Sequence, residues 1–392
     1  GQLNRSDHTF FKKISCFPRA NYSSINKNNF QEVTINYWSL KNKKINYDKN
    51  ILSQIFNDSI TQHFRSDFKI GLALSSGIDS SSIAAVAKKN KIDIHTYSSM
   101  HENNIIENSD IEKTVKELGV KNTKVEIGDV ENIETIDFLL NIMDEPFKSS
   151  STLYQFNLIK MMKKEGCRVI VTGDGADEIL AGYGKCLPYY FADLIKKGRL
   201  IFLLKQLIGL RFFSDQSLLR NFKNIVKISL PLLFKLKTWQ RDGALKTYIK
   251  ERMFNEPLPY WLRVFDSLGM SISTEKRMPF LDHKLVEYLF SLPTDYFFNY
   301  SNKNYLRDSL DDIIPAHIQK INRKHKKPVS DEKIIYDKVS KDFQVNLNLI
   351  DEKDISLFKK TVINVSGINF PSKRFVEVIN NNKINKNEIL NE

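Results

Sequence analysis

Residues 71–82 read GLALSSGIDSSS. A short apolar strand runs straight into a Ser/Gly turn that carries one Asp and opens a helix. Such a turn gathers serine hydroxyls and backbone N–H groups at one spot, with the positive end of a helix behind them, and this favours an anion. It has no Lys, unlike the GxxxxGK[ST] phosphate loop, and only one Gly, unlike the dinucleotide GxGxxG. Phosphate is the natural guest, and Asp79 tolerates it only with a divalent cation between them. A plain Ser-capped helix after a strand explains the same residues, and this turn alone does not separate the two.

A second stretch, RVIVTGDGADEILAGYG (168–184), repeats the layout: an apolar run, a Gly-punctuated turn, and a helix start rich in carboxylates. Acidic residues in a first helical turn also serve simply to complement the helix dipole. In an open parallel sheet, however, ligands sit beyond the carboxyl ends of the strands. Two such units then bring Ser75–Ser81 and Asp174–Glu178 to one rim. There Asp79 and Asp177 are candidates to share a magnesium ion with the phosphates of a nucleotide.

These motifs carry a family resemblance. LSSGIDSS resembles the pyrophosphate-binding loop of ATP-pyrophosphatase-type amidotransferases, usually SGGxDS, and TGDGADEILAGY resembles the second nucleotide loop of asparagine synthetases. DEPFKSSSTLYQF (144–156), LRVFDSLGMSISTEKRMPFLDHKLVEYLFSLP (262–293) and KNYLRDSLDDIIP (303–315) are similar to the same family in the same order. The likeness runs from roughly residue 9 to 330, and ordered co-occurrence is far more specific than any single motif. It implies an asparagine synthetase-like enzyme that uses ATP and magnesium. Such an enzyme makes an acyl-adenylate from a carboxylate, releases pyrophosphate, and then forms an amide. It also implies an α/β fold, a doubly wound parallel sheet of the adenine nucleotide alpha hydrolase-like kind with a helical C-terminal extension.

Residue by residue, the resemblance assigns Ser75, Ser76, Gly77, Asp79 and Ser80 to the departing pyrophosphate, with Ser76 standing where Gly is usual. Asp79 and Asp177 become the magnesium ligands. Leu74, Ser98 and Met100 are candidates beside adenine, Ser98 being equally an ordinary strand residue, and Gly173 lets backbone approach the nucleotide. Asp174 stands where many of these synthetases have a Glu that guides and deprotonates incoming ammonia. Glu275 matches a further glutamate that orients nucleophile or substrate, with Arg277 as its ion-pair partner. Asp282 and His283 read as a helix cap. The cation answering the α-phosphate in adenylation belongs to NRKHKKPVSDE (322–332), with Lys326 the first candidate and Lys324 the reserve. Pro328-Val329 replaces the usual Gly-Phe there.

At 392 residues, with 41% hydrophobic and 11% aromatic content, the chain has material for two domains or one large one. Residues 1–42 alternate like strands and resemble the end of a glutaminase domain. Residues 43–392 form the synthetase domain, with an α/β core over about 50–185 and a helical part over about 186–392. Helices are expected at 50–64, 80–90, 109–118, 131–143 and 151–165, and strands at 69–74, 93–99, 123–127 and 168–172. The apolar, Lys-dotted stretch 192–240 reads as an amphipathic helical pair rather than a membrane-surface element. The Asn/Lys-rich end beyond 370 reads as frayed.

Net charge is +13. The lysines are scattered without an aromatic-interleaved nucleic-acid motif, so a solvated surface is expected and nucleic acid is not. No charge-free run of about 18 residues and no leader pattern occur, which predicts no membrane span. The three irregularly spaced cysteines fit a cytoplasmic protein. The rest of a glutaminase domain, with its glutamine-hydrolysing cysteine, is not in this sequence, and Gly1 and Gln2 occupy the start. Either the sequence is a processed or trimmed piece of a longer protein, or the nitrogen source is ammonia or a glutaminase partner. A homodimer is a further partner expectation. The acceptor carboxylate stays open among aspartate, a uronic acid of a surface polysaccharide, and a small-molecule or peptide carboxylate closing to a lactam. A non-catalytic partner of a glutaminase is the rival of another class.

Overall fold

A computed structural model of the protein describes residues 15–41, 43–100, 105–126, 133–143, 151–199, 201–203, 206, 243–255, 257–298 and 301–321. Among the described residues the first elements form an antiparallel hairpin of β1 (Asn21–Ile25) and β2 (Glu32–Asn36), so the expected β character is present over that span. Then follow α1 (Lys49–His63), β3 (Ile70–Ala73), α2 (Ile78–Lys89), β4 (His95–Met100), α3 (Ile105–Leu118), β5 (Lys121–Glu126), α4 (Ile133–Met143), α5 (Ser151–Lys164) and β6 (Val169–Val171). These agree with the expected elements to within a few residues. Beyond them come α6 (Ala176–Ile179), α7 (Leu187–Lys196), α8 (Ala244–Phe254), α9 (Leu258–Met270), β7 (Glu275–Arg277), α10 (His283–Ser291), α11 (Asn304–Ser309) and α12 (Ala316–Lys320).

Strand β7 corrects the expectation that the chain is helical after about 185. Its three residues, Glu-Lys-Arg, carry no apolar alternation, so nothing local announces a strand. It exists because β6 offers an open edge, and Val169, Ile170 and Val171 pair with Glu275, Lys276 and Arg277.

The sheet order is β5-β4-β3-β6-β7, all parallel. From β3 the chain winds outward through β4 and β5, then returns to lay β6 on the other side of β3. This reversal opens a crevice between the carboxyl ends of β3 and β6, the place where open α/β sheets bind ligands. Both faces of the sheet are covered, as alternation in the strands requires. Leu72 and Val171 pack with Phe56 and Ile60 of α1 and Ile83 and Val86 of α2. Ile170 and Tyr97 face the other way, onto Leu139 of α4, Leu153 and Phe156 of α5, and Val264 and Leu268 of α9.

Local chemistry starts the helices where they are needed. Asp48 caps α1, its carboxylate accepting from the N–H groups of Asn50 and Ile51 at 2.8 and 3.1 Å. Leu52, Phe56 and Ile60 then form one buried stripe at helical spacing. Asp282 caps α10 by accepting from Lys284 N–H at 2.8 Å, the structural role expected for it. The 192–240 stretch lies mostly outside the described residues, as do the segment beyond 370 and the loop 322–332. None of the helices among the described residues is long and apolar enough to cross a membrane.

Candidate active site at the switch point

The first loop is tied together by its own serines. Ser75 N–H donates to Ser80 Oγ at 3.0 Å, Gly77 N–H donates to Ser75 Oγ at 3.2 Å, and the Ser75 and Ser80 hydroxyls are 3.0 Å apart. Ser76 Oγ donates to Glu107 Oε1 at 3.3 Å. Gly77 then takes an extended conformation as the N-cap of α2, which places Asp79 in the first turn of that helix.

The second loop lies directly against the first. A Cβ on Gly173 would stand 3.0 Å from both Asp79 Cβ and the Ser80 backbone nitrogen. The bare backbone at 173 therefore serves the contact between the loops, and Gly173 also lines the cleft. Gly175 has φ +88°, and Leu281 fills the space a side chain would need. That turn starts α6 and buries Asp177.

Asp79 and Asp177 meet on one cation that the motifs do not single out. Lys303 Nζ lies 2.5 and 2.6 Å from the two oxygens of Asp79 and 2.6 Å from Asp177 Oδ1. Its side chain is 2% exposed. Burial opposes its charge, but the two carboxylates outweigh burial and hold its pKa above that of an ordinary lysine. The residue opens the KNYLRDSLDDIIP segment, which was the signal available in the sequence. Only the fold shows that its ammonium reaches both loops.

The rim loops open on a cleft of about 700 Å³ lined by Leu74, Ser75, Ser76, Gly77, Asp79, Ser80, Gly173, Asp174 and Asp177. Ser98 and Met100 stand apart from it. Ser98 is fully buried and donates to Asn122 Oδ1 at 3.0 Å, and Met100 packs on the core, while Ser99 between them lines the cleft. The alternation of β4 decides this.

The same rule moves Glu275. It opens β7 beside Val169, at the amino end of β6, and its exposed carboxylate pairs with Arg277 Nε at 2.7 Å. Glu275 is thus at the far edge of the sheet from the rim, a correction to its expected place near the nucleophile. The expected pairing with Arg277 is present. Lys276 instead turns into the cleft, where its Nζ is 2.8 Å from Asp174 Oδ2. Lys324 and Lys326 lie outside the described residues.

For magnesium the donor chemistry fits. Two carboxylates supply hard oxygens, and magnesium ordinarily takes one or two of these plus phosphate and water. No cluster of three or more His, Cys, Asp or Glu suited to a metal occurs among the described residues, so the rest of the shell would come from phosphate oxygens or water.

A parallel α/β sheet with two acidic strand–turn–helix loops meeting at its switch point is the class these features define. The asparagine synthase family model matches residues 52–362, and the chain belongs to that family. Asparagine synthetase [glutamine-hydrolyzing] 2 of Bacillus subtilis is 27% identical over 321 residues, covering 73% of this chain and 40% of that protein. Asparagine synthetase [glutamine-hydrolyzing] 3 of the same organism is 25% identical over 324 residues, covering 72% and 49%. A putative asparagine synthetase [glutamine-hydrolyzing] 2 of Methanocaldococcus jannaschii is 30% identical over 167 residues, covering 41% and 32%. The chain therefore spans no more than about half the length of these relatives. Among solved structures, an NH3-dependent NAD synthetase from Campylobacter jejuni aligns at 17% identity and a TM-score of 0.26, covering 35% of this chain and 62% of that one. The sheet order itself defines the α/β fold.

Proposed function

We propose that this chain activates a carboxylate with ATP, forming an acyl-adenylate and pyrophosphate, and passes the acyl group to nitrogen to make an amide. The observation that carries this is the convergence of Asp79 and Asp177 on one buried cation at the switch point of a family member. Carboxylate and amine alone do not condense at neutral pH, because oxide is too poor a leaving group; adenylation replaces it with AMP.

Ser75, Ser76, Gly77 and Ser80 are the proposed pyrophosphate loop, with Leu74 and Ser99 toward the base. Asp79 and Asp177 would hold magnesium, which when bound neutralises phosphate charge. Lys303 fixes both carboxylates. Lys326, with Lys324 in reserve, is the proposed cation at the α-phosphate. Asp174 faces the nucleophile. Aspartate is the default acceptor from family membership, with a uronic acid or a lactam-closing acid as alternatives. Ammonia, free or released from glutamine, supplies the nitrogen, and residues 1–42 are proposed as the end of a glutaminase-type domain. A cytoplasmic setting goes with Cys16, Cys167 and Cys186, none of which forms a disulfide.

The test is product analysis with ATP, a carboxylate panel, and ammonia present or absent. AMP and pyrophosphate are expected, and ADP as the main product overturns the proposal.

A further inference from the structure

The proposed reaction uses Asp174 but gives no role to the lysine beside it. Lys276 is 5% exposed in the cleft wall, an environment that lysine enters only when its charge is answered. Its ammonium is fully engaged: Asp174 Oδ2 at 2.8 Å, Gln155 Oε1 accepting at 3.2 Å, and the Phe265 ring with its centroid 3.5 Å away. Little remains for binding a ligand directly. Asp174 is arranged differently. Oδ2 accepts from Lys276 and, at 2.8 Å, from Thr172 Oγ1, while the side chain keeps 33% of its surface open. These two bonds fix the carboxylate through one oxygen and leave Oδ1 for the cleft.

We infer that Lys276 is a positioning residue, which locks Asp174 through Oδ2 so that Oδ1 receives an N–H of the attacking nitrogen. This rests on the adenylation reading above and assigns the pair to its second half. Burial disfavours the Asp174 charge, but the Lys276 ammonium and the hydrogen bonds from Lys276 and Thr172 overcome it and hold the carboxyl below its ordinary range. An ammonium ion has no lone pair with which to attack. The nucleophile therefore arrives uncharged, as ammonia or a primary amine, and Asp174 orients its lone pair. Attack forms the C–N bond. The bond from acyl carbon to the adenylate oxygen breaks, and its electron pair leaves on AMP. The nitrogen becomes acidic as it bonds, gives one proton to Oδ1, and that proton passes to water.

The experiment measures two half-reactions in the full chain. Carboxylate-dependent ATP–pyrophosphate exchange reports adenylation, and amide formation with ammonium chloride reports attack. The carboxylate is the one giving the strongest exchange in a panel beginning with aspartate. In Lys276→Met, amide formation is expected to fall about a hundredfold while exchange falls far less. In Lys276→Met/Asp174→Asn the loss should be no greater than in Asp174→Asn alone, because one residue acts through the other. Lys276→Arg keeps a cation and should recover part of the rate. Equal loss of both half-reactions in a variant with an unchanged melting temperature overturns the inference, and so do additive losses. If Lys276→Met does not fold, the uncharged double variant and Lys276→Arg carry the same comparison. No exchange by the unsubstituted chain with any carboxylate sinks the adenylation reading, and with it this inference. Exchange without the half-reaction split sinks the inference alone.

Discussion

Lys303 and Asp79 stand 224 residues apart in the chain and form a buried, two-pronged ion pair, with Nζ 2.5 and 2.6 Å from the carboxylate oxygens. The contact joins the opening of α11 in the helical half to the first loop of the α/β half. Through Asp177 it also reaches the second loop.

Removing that ammonium leaves two carboxylates facing each other with little water to screen them. Lys303→Met is expected to destabilise the protein by about 3–5 kcal/mol, the usual cost of breaking a buried pair from one side. Added magnesium should return part of the loss in the variant. Urea unfolding with and without MgCl2 reads both effects; an unchanged midpoint would rule out the bridge as a stabilising element.

Gly182 and Gly184 provide a matched comparison two residues apart. A Cβ on Gly182 would land on Asp177 Oδ1 and Lys303 Cε, whereas one on Gly184 meets nothing within 4 Å. Gly182→Ala should therefore displace the pair, costing about 1–3 kcal/mol and most of the ATP affinity. Gly184→Ala should change neither by a comparable amount. Similar melting temperatures and ATP titrations for the two variants would contradict this.

His95 stacks on Tyr97 with ring centroids 4.6 Å apart, and its Nε2 is 2.9 Å from Thr123 Oγ1. Burial holds its pKa below the ordinary histidine value, against the charge of Glu165, with Lys69 and Lys121 nearby also lowering it and Asp93 raising it. The unfolded chain then takes up its proton at higher pH than the folded one, so stability falls as pH drops through about 6.5. His95→Gln should flatten that part of the melting-temperature profile. A steeper or unchanged slope between neutral and mildly acid pH would count against the assignment.

Ser98 and Ser99 separate packing from the cleft. Ser98→Ala removes a buried bond to Asn122 and should cost about 1 kcal/mol of stability with ATP affinity retained. Ser99→Phe projects into the cleft and should weaken ATP binding with a smaller effect on stability. The reverse pattern in melting and ATP-titration measurements would mean that β4 is turned over.

Much of this molecule was legible in its residues. Apolar strands broken by Gly and Ser, alternating with amphipathic helices, are local signals, and they located β3 to β6 and α1 to α5 closely. The two loops were legible for the same reason, since Gly173, Gly175 and Gly77 mark turns whose form is set by backbone chemistry. Asp79 and Asp177 could be placed on one rim because parallel α/β topology puts strand ends there whatever the side chains are.

Side-chain direction and long-range pairing were decided by the tertiary structure. In β4, a single step of alternation exchanged Ser98 for Ser99, and in β7 it exchanged Glu275 for Lys276. Period-two geometry makes each such exchange complete. Strand β7 itself comes from the open edge of β6 rather than from its own three polar residues. Lys303 shows the same dependence most plainly. A lysine reads locally as a solvated charge, and only a fold that carries it across 224 residues to two buried carboxylates makes it the centre of the site. Local sequence determined where the chain turns and which residues reach the rim, because those depend on backbone preference and apolar periodicity. The charges that meet there depend on burial and on contacts between distant segments, which only the assembled structure supplies.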